Sequence, residues 1–295
     1  MVEPNHNVSS SGAVLLQYTV GEYSLISKTG SDESCEDAIY IGPYFVAVID
    51  GATSKTERRW NGQTGGKVAA QTLRSAFDQI PFDATAREAV NILSSAIQSL
   101  YRRYNVLDSV QTDPVQRAVA TFVAVSFHHK EVWFVGDCQC LLNQKWITNT
   151  KEIDNILSST RSFFLETEIA QGKTVEELLQ HDTGRDFILP LLKRQMYFQN
   201  TSSMGQYWFS VIDGFDVPDE GIRVQCLPTD IETIVLASDG YPTLADSLEE
   251  SEQVLREVLR EDPLLFRKYK STKGVKDGDI SFDDRAYVKL RVKEA

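Results

Sequence analysis

Residues 44–53 read YFVAVIDGAT. The run from Phe45 to Ile49 is apolar and β-branched without polar alternation, the pattern of a strand covered on both faces. It stops at Asp50-Gly51. A carboxylate there is fixed by a rigid element while its head projects from the sheet rim. The arrangement recurs along the chain: Asp239 ends IVLASD before Gly240, Asp137 follows WFVG, Asp283 and Asp284 precede RAYVKL, and Glu36 and Asp37 precede AIYI. Taken singly, each acid reads as the start of a turn, where Asp is common. Several converging acids would repel one another and raise one another's pKa unless a cation neutralised them. Oxygen ligands without matched His or Cys favour hard ions in octahedral geometry, magnesium or manganese. Glycine after Asp50 suits a sharp turn and can present a backbone carbonyl to such an ion.

Outward from this stretch, strand patterns are expected at 13–19, 23–27, 38–41, 118–127 and 131–136, with HHK as a hairpin turn between the last two. Four more are expected at 207–212, 222–226, 232–237 and 285–292. A helix opens near Gly65-Gly66 and runs to Pro81. A second, about 84–103, carries Ala89, Ile92, Leu93, Ile97, Leu100 and Tyr101 on one face. Residues 150–198 read as mainly helical, broken near Gly172 and Gly184, and a last helix covers about 248–261. Residues 1–12 are a polar tail, and 13–295 form a single α+β domain with two sheets or one large one. His128 and His129, adjacent in a turn, are expected to point apart and stay exposed. Cys138 and Cys140 share a strand face and suit burial. Asp213-Gly214 reads as a turn, and Trp133, Phe134 and Trp208 as core.

The chain has 30 Lys and Arg against 42 Asp and Glu, a net charge of −12 that repels a phosphate backbone and argues against a nucleic-acid partner. No C-x-x-C pair or zinc-type His spacing occurs, so a reduced, cytoplasmic chain is expected. The opening MVEPNHNVSSSG has no basic and no apolar leader segment, and no apolar run is long enough to span a bilayer. P-loop, G-x-G-x-x-G and G-x-S-x-G motifs are absent from the sequence.

The acidic segments, in order CEDA at 35–38, FVAVIDGAT at 45–53, FVGDCQCLL at 134–142, IVLASDGY at 234–241 and FDDRAYVKL at 282–290, resemble those of the metal-dependent serine/threonine phosphatases of the PPM (protein phosphatase 2C) family, in a divergent branch with DGAT after the strand. The resemblance spans the chain from about residue 20 onward. It implies a four-layer α/β/β/α sandwich, a central antiparallel β-sandwich flanked by helices, with two Mg2+ or Mn2+ ions at one edge. It also implies hydrolysis of phosphoserine or phosphothreonine in a phosphoprotein or phosphopeptide by a metal-activated water, by a monomer. Asp50 would bridge the ions, the Gly51 carbonyl would bind one, and Asp239 and Asp283 would complete the shell of the other. Glu36 and Asp37 would hold metal-bound waters, and Asp137 with Asp239 would recruit a weaker third ion.

Two positions depart from the pattern. Many members carry Arg, which clamps the substrate phosphate, five residues before the Asp of the ED pair; here Asp32 stands there. Lys28, Lys55 and Arg58 are the candidate replacements. Where eukaryotic members have a general-acid His after Asp-Gly, this chain has Ala52, so a leaving group would draw its proton from metal-bound water. These departures leave two rivals: the same fold as a catalytically silent binding module, or a phosphatase of small esters.

Overall fold

The computed structural model describes residues 16–293; the expected tail, and the start of the strand expected at 13–19, lie outside them. The apolar run becomes β3 (Phe45–Gly51). It sits in an antiparallel sheet with β2 (Ala38–Ile41), β4 (Ala120–Ser126), β5 (Glu131–Val135) and β8 (Arg223–Cys226), in the order β2-β3-β4-β5-β8. A second antiparallel sheet orders β1 (Gln17–Ile26), β10 (Arg285–Lys293), β9 (Thr233–Ala237), β6 (Gln139–Leu142) and β7 (Lys145–Ile147) as β1-β10-β9-β6-β7.

The alternation of side chains along β3 explains why its run is apolar throughout. Val46 and Val48 point between the sheets, where they join Val123, Val125, Cys140, Leu236, Val288 and Leu290. Ala47 and Ile49 point outward and pack with Leu73 of α1 (Gly65–Ala76) and with Leu93 and Ile97 of α2 (Ala86–Arg103). On the far side, Leu141, Val235 and Tyr287 meet Leu244 and Leu248, the last opening α7 (Leu248–Glu261). Helix, sheet, sheet and helix are therefore stacked as four layers, the α+β sandwich that the resemblance implies. Among the described residues no helix is long and apolar enough to cross a membrane.

Several expectations are corrected. The strands at 13–19 and 23–27 are one strand, β1, whose register against β10 slips between Val20 and Glu22; a bulge at Gly21 breaks the alternation without ending the ladder. Residues 207–212 are not a strand: only single bridges, Gln199 to Phe209 and Ala120 to Ile212, hold them. The strand β7 carried no recognised signal. His128 and His129 do not point apart. Their rings meet edge to face at 4.9 Å, half-buried, with His128 against Phe82 and His129 Nε2 3.0 Å from the Asp83 carbonyl. Asp213 is more than a turn residue: it is fully buried, with Arg117 Nη1 2.8 Å from its Oδ2 and Asn200 donating to Oδ1. Cys138 and Cys140 are buried, as are Trp133 and Phe134, while Trp208 is half-buried.

The 150–198 stretch forms α4 (Glu152–Ala170), α5 (Val175–Gln180) and α6 (Thr183–Arg194). The second break falls at His181-Asp182 rather than at Gly184. Asp182 caps α6 by accepting from the Arg185 amide. Gly184 lies inside α6 because a Cβ there would come within 2.8 Å of Leu165 on α4, so the two helices approach too closely for a side chain. This helical unit is tied to the sandwich by Arg161, fully buried, which reaches Asp182 Oδ2 at 2.6 Å and the carbonyls of Leu265 and Ser271 at 3.2 and 3.1 Å.

A close backbone approach lies where β3 ends against α1. A Cβ on Gly66 would meet the carbonyl oxygens of Gly51 and Ala52, each at 2.6 Å. At an open helical site Gly→Ala stabilises by about 1 kcal/mol. Here the added methyl meets immovable backbone, so Gly66→Ala is expected to destabilise by about 1–3 kcal/mol, read as a lowered urea midpoint with unchanged slope.

Candidate metal centre

Each candidate acid is delivered by the end of a strand. Asp50 is the penultimate residue of β3, Asp137 follows β5, Asp239 follows β9, Asp283 stands just before β10, and Glu36 and Asp37 lead into β2. The two sheets thus bring their rims together at one edge. There Asp50, Asp137 and Asp239 each offer a carboxylate oxygen, all within 4.8 Å of one another. At an effective dielectric of about 20, two full negative charges about 5 Å apart repel by roughly 3 kcal/mol. Three such pairs approach the stability of a whole domain, about 5–15 kcal/mol. The triad is therefore a poor place for three unscreened charges. Burial, then the neighbouring acids, push Asp50 and Asp239 well above the usual carboxylate range, and burial likewise pushes up Asp37.

The remaining acids divide into two groups. Glu36 and Asp37 are buried, and Glu36 Oε1 and Asp37 Oδ2 have no hydrogen-bond partner. Buried, unpaired carboxylate oxygens are costly unless something positive or a donor meets them. Together with the triad they form an all-oxygen donor set suited to a hard divalent ion and its waters. Gly51 lies beside Asp50, packed so closely that a Cβ would fall 2.3 Å from the Glu36 carbonyl.

Asp283 and Asp284 are instead engaged by lysine. Lys28 Nζ stands 3.2 Å from Glu36 Oε2, 3.5 Å from Asp283 Oδ1 and 3.2 Å from Asp284 Oδ2. Asp284 also accepts the amides of Lys28 and Glu36, at 2.8 and 3.0 Å, which pins the chain on both sides of the β1–β2 link. Lys273 pairs with Asp283 Oδ2. Burial pushes Asp283 up, but Lys273 and Lys28 outweigh it and hold the acid below its ordinary value. The triad is thus Asp50, Asp137 and Asp239, with Asp283 beside it paired to Lys28 and Lys273. Asp137 has its own counter-charge, Lys151 Nζ at 2.6 Å.

The candidate phosphate ligands separate clearly. Lys28 is enclosed by three carboxylates. Arg58 turns away, over the Trp60 ring at 5.7 Å and toward Ser109 Oγ at 3.4 Å. Lys55 remains near the centre, its Nζ 2.5 Å from the Thr53 carbonyl. Sequence reasoning missed Lys151, Arg185 and Lys273. Nothing in the local pattern of these residues marks them, because each reaches the centre from a distant loop or helix. Ala52 is half-buried and packs among Val119, Met196 and Phe209, with no titratable atom to offer.

A comparison with curated proteins finds no match. Among solved structures, the catalytic domain of the serine/threonine phosphatase PstP in complex with two manganese ions is 18% identical, covering 96% of this chain and 100% of that one, with a TM-score of 0.46. The PstP/Ppp phosphatase of Mycobacterium tuberculosis is 18% identical over 94% and 98% of the two chains, with a TM-score of 0.42. PppA of Pseudomonas aeruginosa, described as a regulatory component of its T6SS, is 13% identical over 94% and 98%, with a TM-score of 0.45. The family model described as protein phosphatase 2C matches residues 27–265, a span that takes in Asp50, Asp137 and Asp239 and ends before Asp283. With most of its length matched, the chain belongs to the protein phosphatase 2C family.

Proposed function

We propose that the protein hydrolyses phosphoserine and phosphothreonine monoesters in phosphoprotein or phosphopeptide substrates, with Mg2+ or Mn2+ held at the acid centre. The observation that carries this reading is the meeting of Asp50, Asp137 and Asp239 within 4.8 Å in a chain of this family. In this reading Asp50, Asp239 and Asp137, with the Gly51 carbonyl, would hold two ions and a weaker third. Asp283, beside them, would complete the shell of one ion with Asp239. Bound divalent ions would lower the pKa of a water and neutralise charge on the phosphoryl oxygens. Glu36 and Asp37 present buried, free oxygens that can orient such waters. Lys151 fixes one oxygen of Asp137 and leaves the other for a cation.

Ala52 supplies no proton where a general acid would stand, so the chain's own side chains give the departing alkoxide no direct donor there. We read the protein as a cytoplasmic monomer with no nucleic-acid or membrane partner. Four free cysteines, three of them buried, fit a reducing compartment, and the net charge of −12 fits the exclusion of nucleic acid.

Turnover of a phosphothreonine peptide should require Mn2+ or Mg2+ and vanish in EDTA. Asp239→Asn should lower kcat by roughly 100-fold or more while weakening divalent binding in calorimetry. Metal uptake by the wild-type protein without turnover of any ester would favour the silent binding module, and turnover restricted to p-nitrophenyl phosphate would favour the small-ester enzyme.

A second expectation follows from Ala52. Across aryl phosphates from nitrophenyl to phenyl, log kcat/KM should fall steeply as the leaving-group pKa rises. Ala52→His should flatten that slope. A flat slope in the wild-type protein would show that another residue protonates the leaving group.

A further inference from the structure

The family's phosphate-clamping arginine is replaced here by Asp32, which is exposed, and two of the three cations near it are committed elsewhere. A different group of cations stands beside the acid centre, assembled from three separate parts of the chain. Lys55 comes from the loop after β3, Arg185 from the first turn of α6, and Lys273 from the loop before β10. Thr53 joins two of them: Lys55 Nζ donates to its carbonyl at 2.5 Å and Lys273 Nζ to its Oγ1 at 3.4 Å. Arg185 Nη1 donates to the Thr272 carbonyl at 2.9 Å, one residue from Lys273.

We infer that Lys55, Arg185 and Lys273 form the subsite that binds the substrate's phosphoryl dianion next to the acid centre. This rests on the phosphatase reading for its substrate, but the anion site itself is defined by charge and geometry. Lys273 is matched by Asp283. Lys55 and Arg185, among the described residues, pair with no carboxylate; each bonds only a neutral carbonyl. The cluster thus keeps Arg185, and Lys55 when protonated, unmatched, and a phosphomonoester carries about two negative charges near neutral pH. Burial, then the charges of Arg185 and Lys273, push Lys55 down to about 7. An anion seated among the three relieves that repulsion, and the remaining carboxylate, Asp283, keeps Lys273 anchored beside the centre.

The subsite is held rigidly. Buried Arg161 bonds Asp182, the cap of the helix that carries Arg185, and also the Ser271 carbonyl, just ahead of Lys273. One guanidinium therefore sets the position of two of the three cations. Lys28 and Arg58 have no comparable freedom, since the first is enclosed by Glu36, Asp283 and Asp284 and the second lies over Trp60.

The test uses inorganic phosphate as the probe, titrated into the full-length, Mn2+-loaded protein by calorimetry and used as a competitive inhibitor of p-nitrophenyl phosphate turnover. Arg185→Met and Lys55→Met should each weaken phosphate binding by about tenfold or more. KM should rise in parallel, Mn2+ affinity should stay unchanged, and Arg185→Lys should recover part of the loss. Lys55 lies in an irregular loop, so its variant carries the measurement even if Arg185→Met fails to fold. Unchanged phosphate affinity in Lys55→Met and in a folded Arg185→Met or Arg185→Lys would overturn the assignment. If the wild-type protein turns over no ester yet binds phosphate, and the variants lose that binding, the subsite stands and the phosphatase reading falls.

Discussion

Mutual repulsion among three carboxylates held within 4.8 Å is the constraint around which this molecule is organised. Strand ends from both sheets force the approach, and neither sheet can withdraw its acid without breaking a buried ladder. β3 is buried on both faces from Phe45 to Ile49, and β9 is buried from Ile234 to Ala237, so Asp50 and Asp239 are anchored by packing that has no slack. The resulting electrostatic strain is offset in part by the fold's own cations. A lysine sits on Asp137, another on Asp283, and a third among Glu36, Asp283 and Asp284. What they leave uncompensated, Asp50, Asp239 and the free oxygens of Glu36 and Asp37, is the part of the centre suited to divalent ions.

The same constraint explains how the accessory helices are attached. Lys151, just ahead of α4, pairs with Asp137 of the acid centre, and Arg185 within α6 bonds the Thr272 carbonyl beside Lys273. A purely apolar contact would leave those cations free to drift. Arg161, with no exposed surface, instead bonds a helix cap and two loop carbonyls at once, so that the helical unit and the loop before β10 are tied to one side chain. A buried arginine is costly to desolvate, and its full set of partners is what makes it tolerable. Its contribution is to geometry as much as to stability.

Much of the scaffold was legible from residue patterns. The twofold burial of β3, the start of α1, the apolar face of α2, the hairpin of β4 and β5, and the extent of α7 all follow from local pattern, because each element buries what its own sequence makes apolar. The misreadings have local causes as well. Gly21 looked like a break and is a bulge; Gly184 looked like a helix end and is a helix interior fitted against Leu165. Residues 207–212 carry strand-like chemistry but find no partner strand, since pairing is decided by what lies alongside and not by propensity.

By itself, the chain's order of residues determined that acids would stand at the ends of rigid apolar strands, that no local motif for nucleotide or zinc was present, and that a hard cation was the natural counter-charge. Only the tertiary structure decided which acids meet. Asp50, Asp137 and Asp239 come within reach of one another, and Asp283 is paired with Lys28 and Lys273, two lysines more than two hundred residues apart in sequence. It also decided which cations stay unmatched, Lys55 and Arg185, and set Lys273 against Asp283 at the centre. Charge interactions fall with distance in space and are blind to distance along the chain, which is why the acids could be read in the sequence and their partners could not.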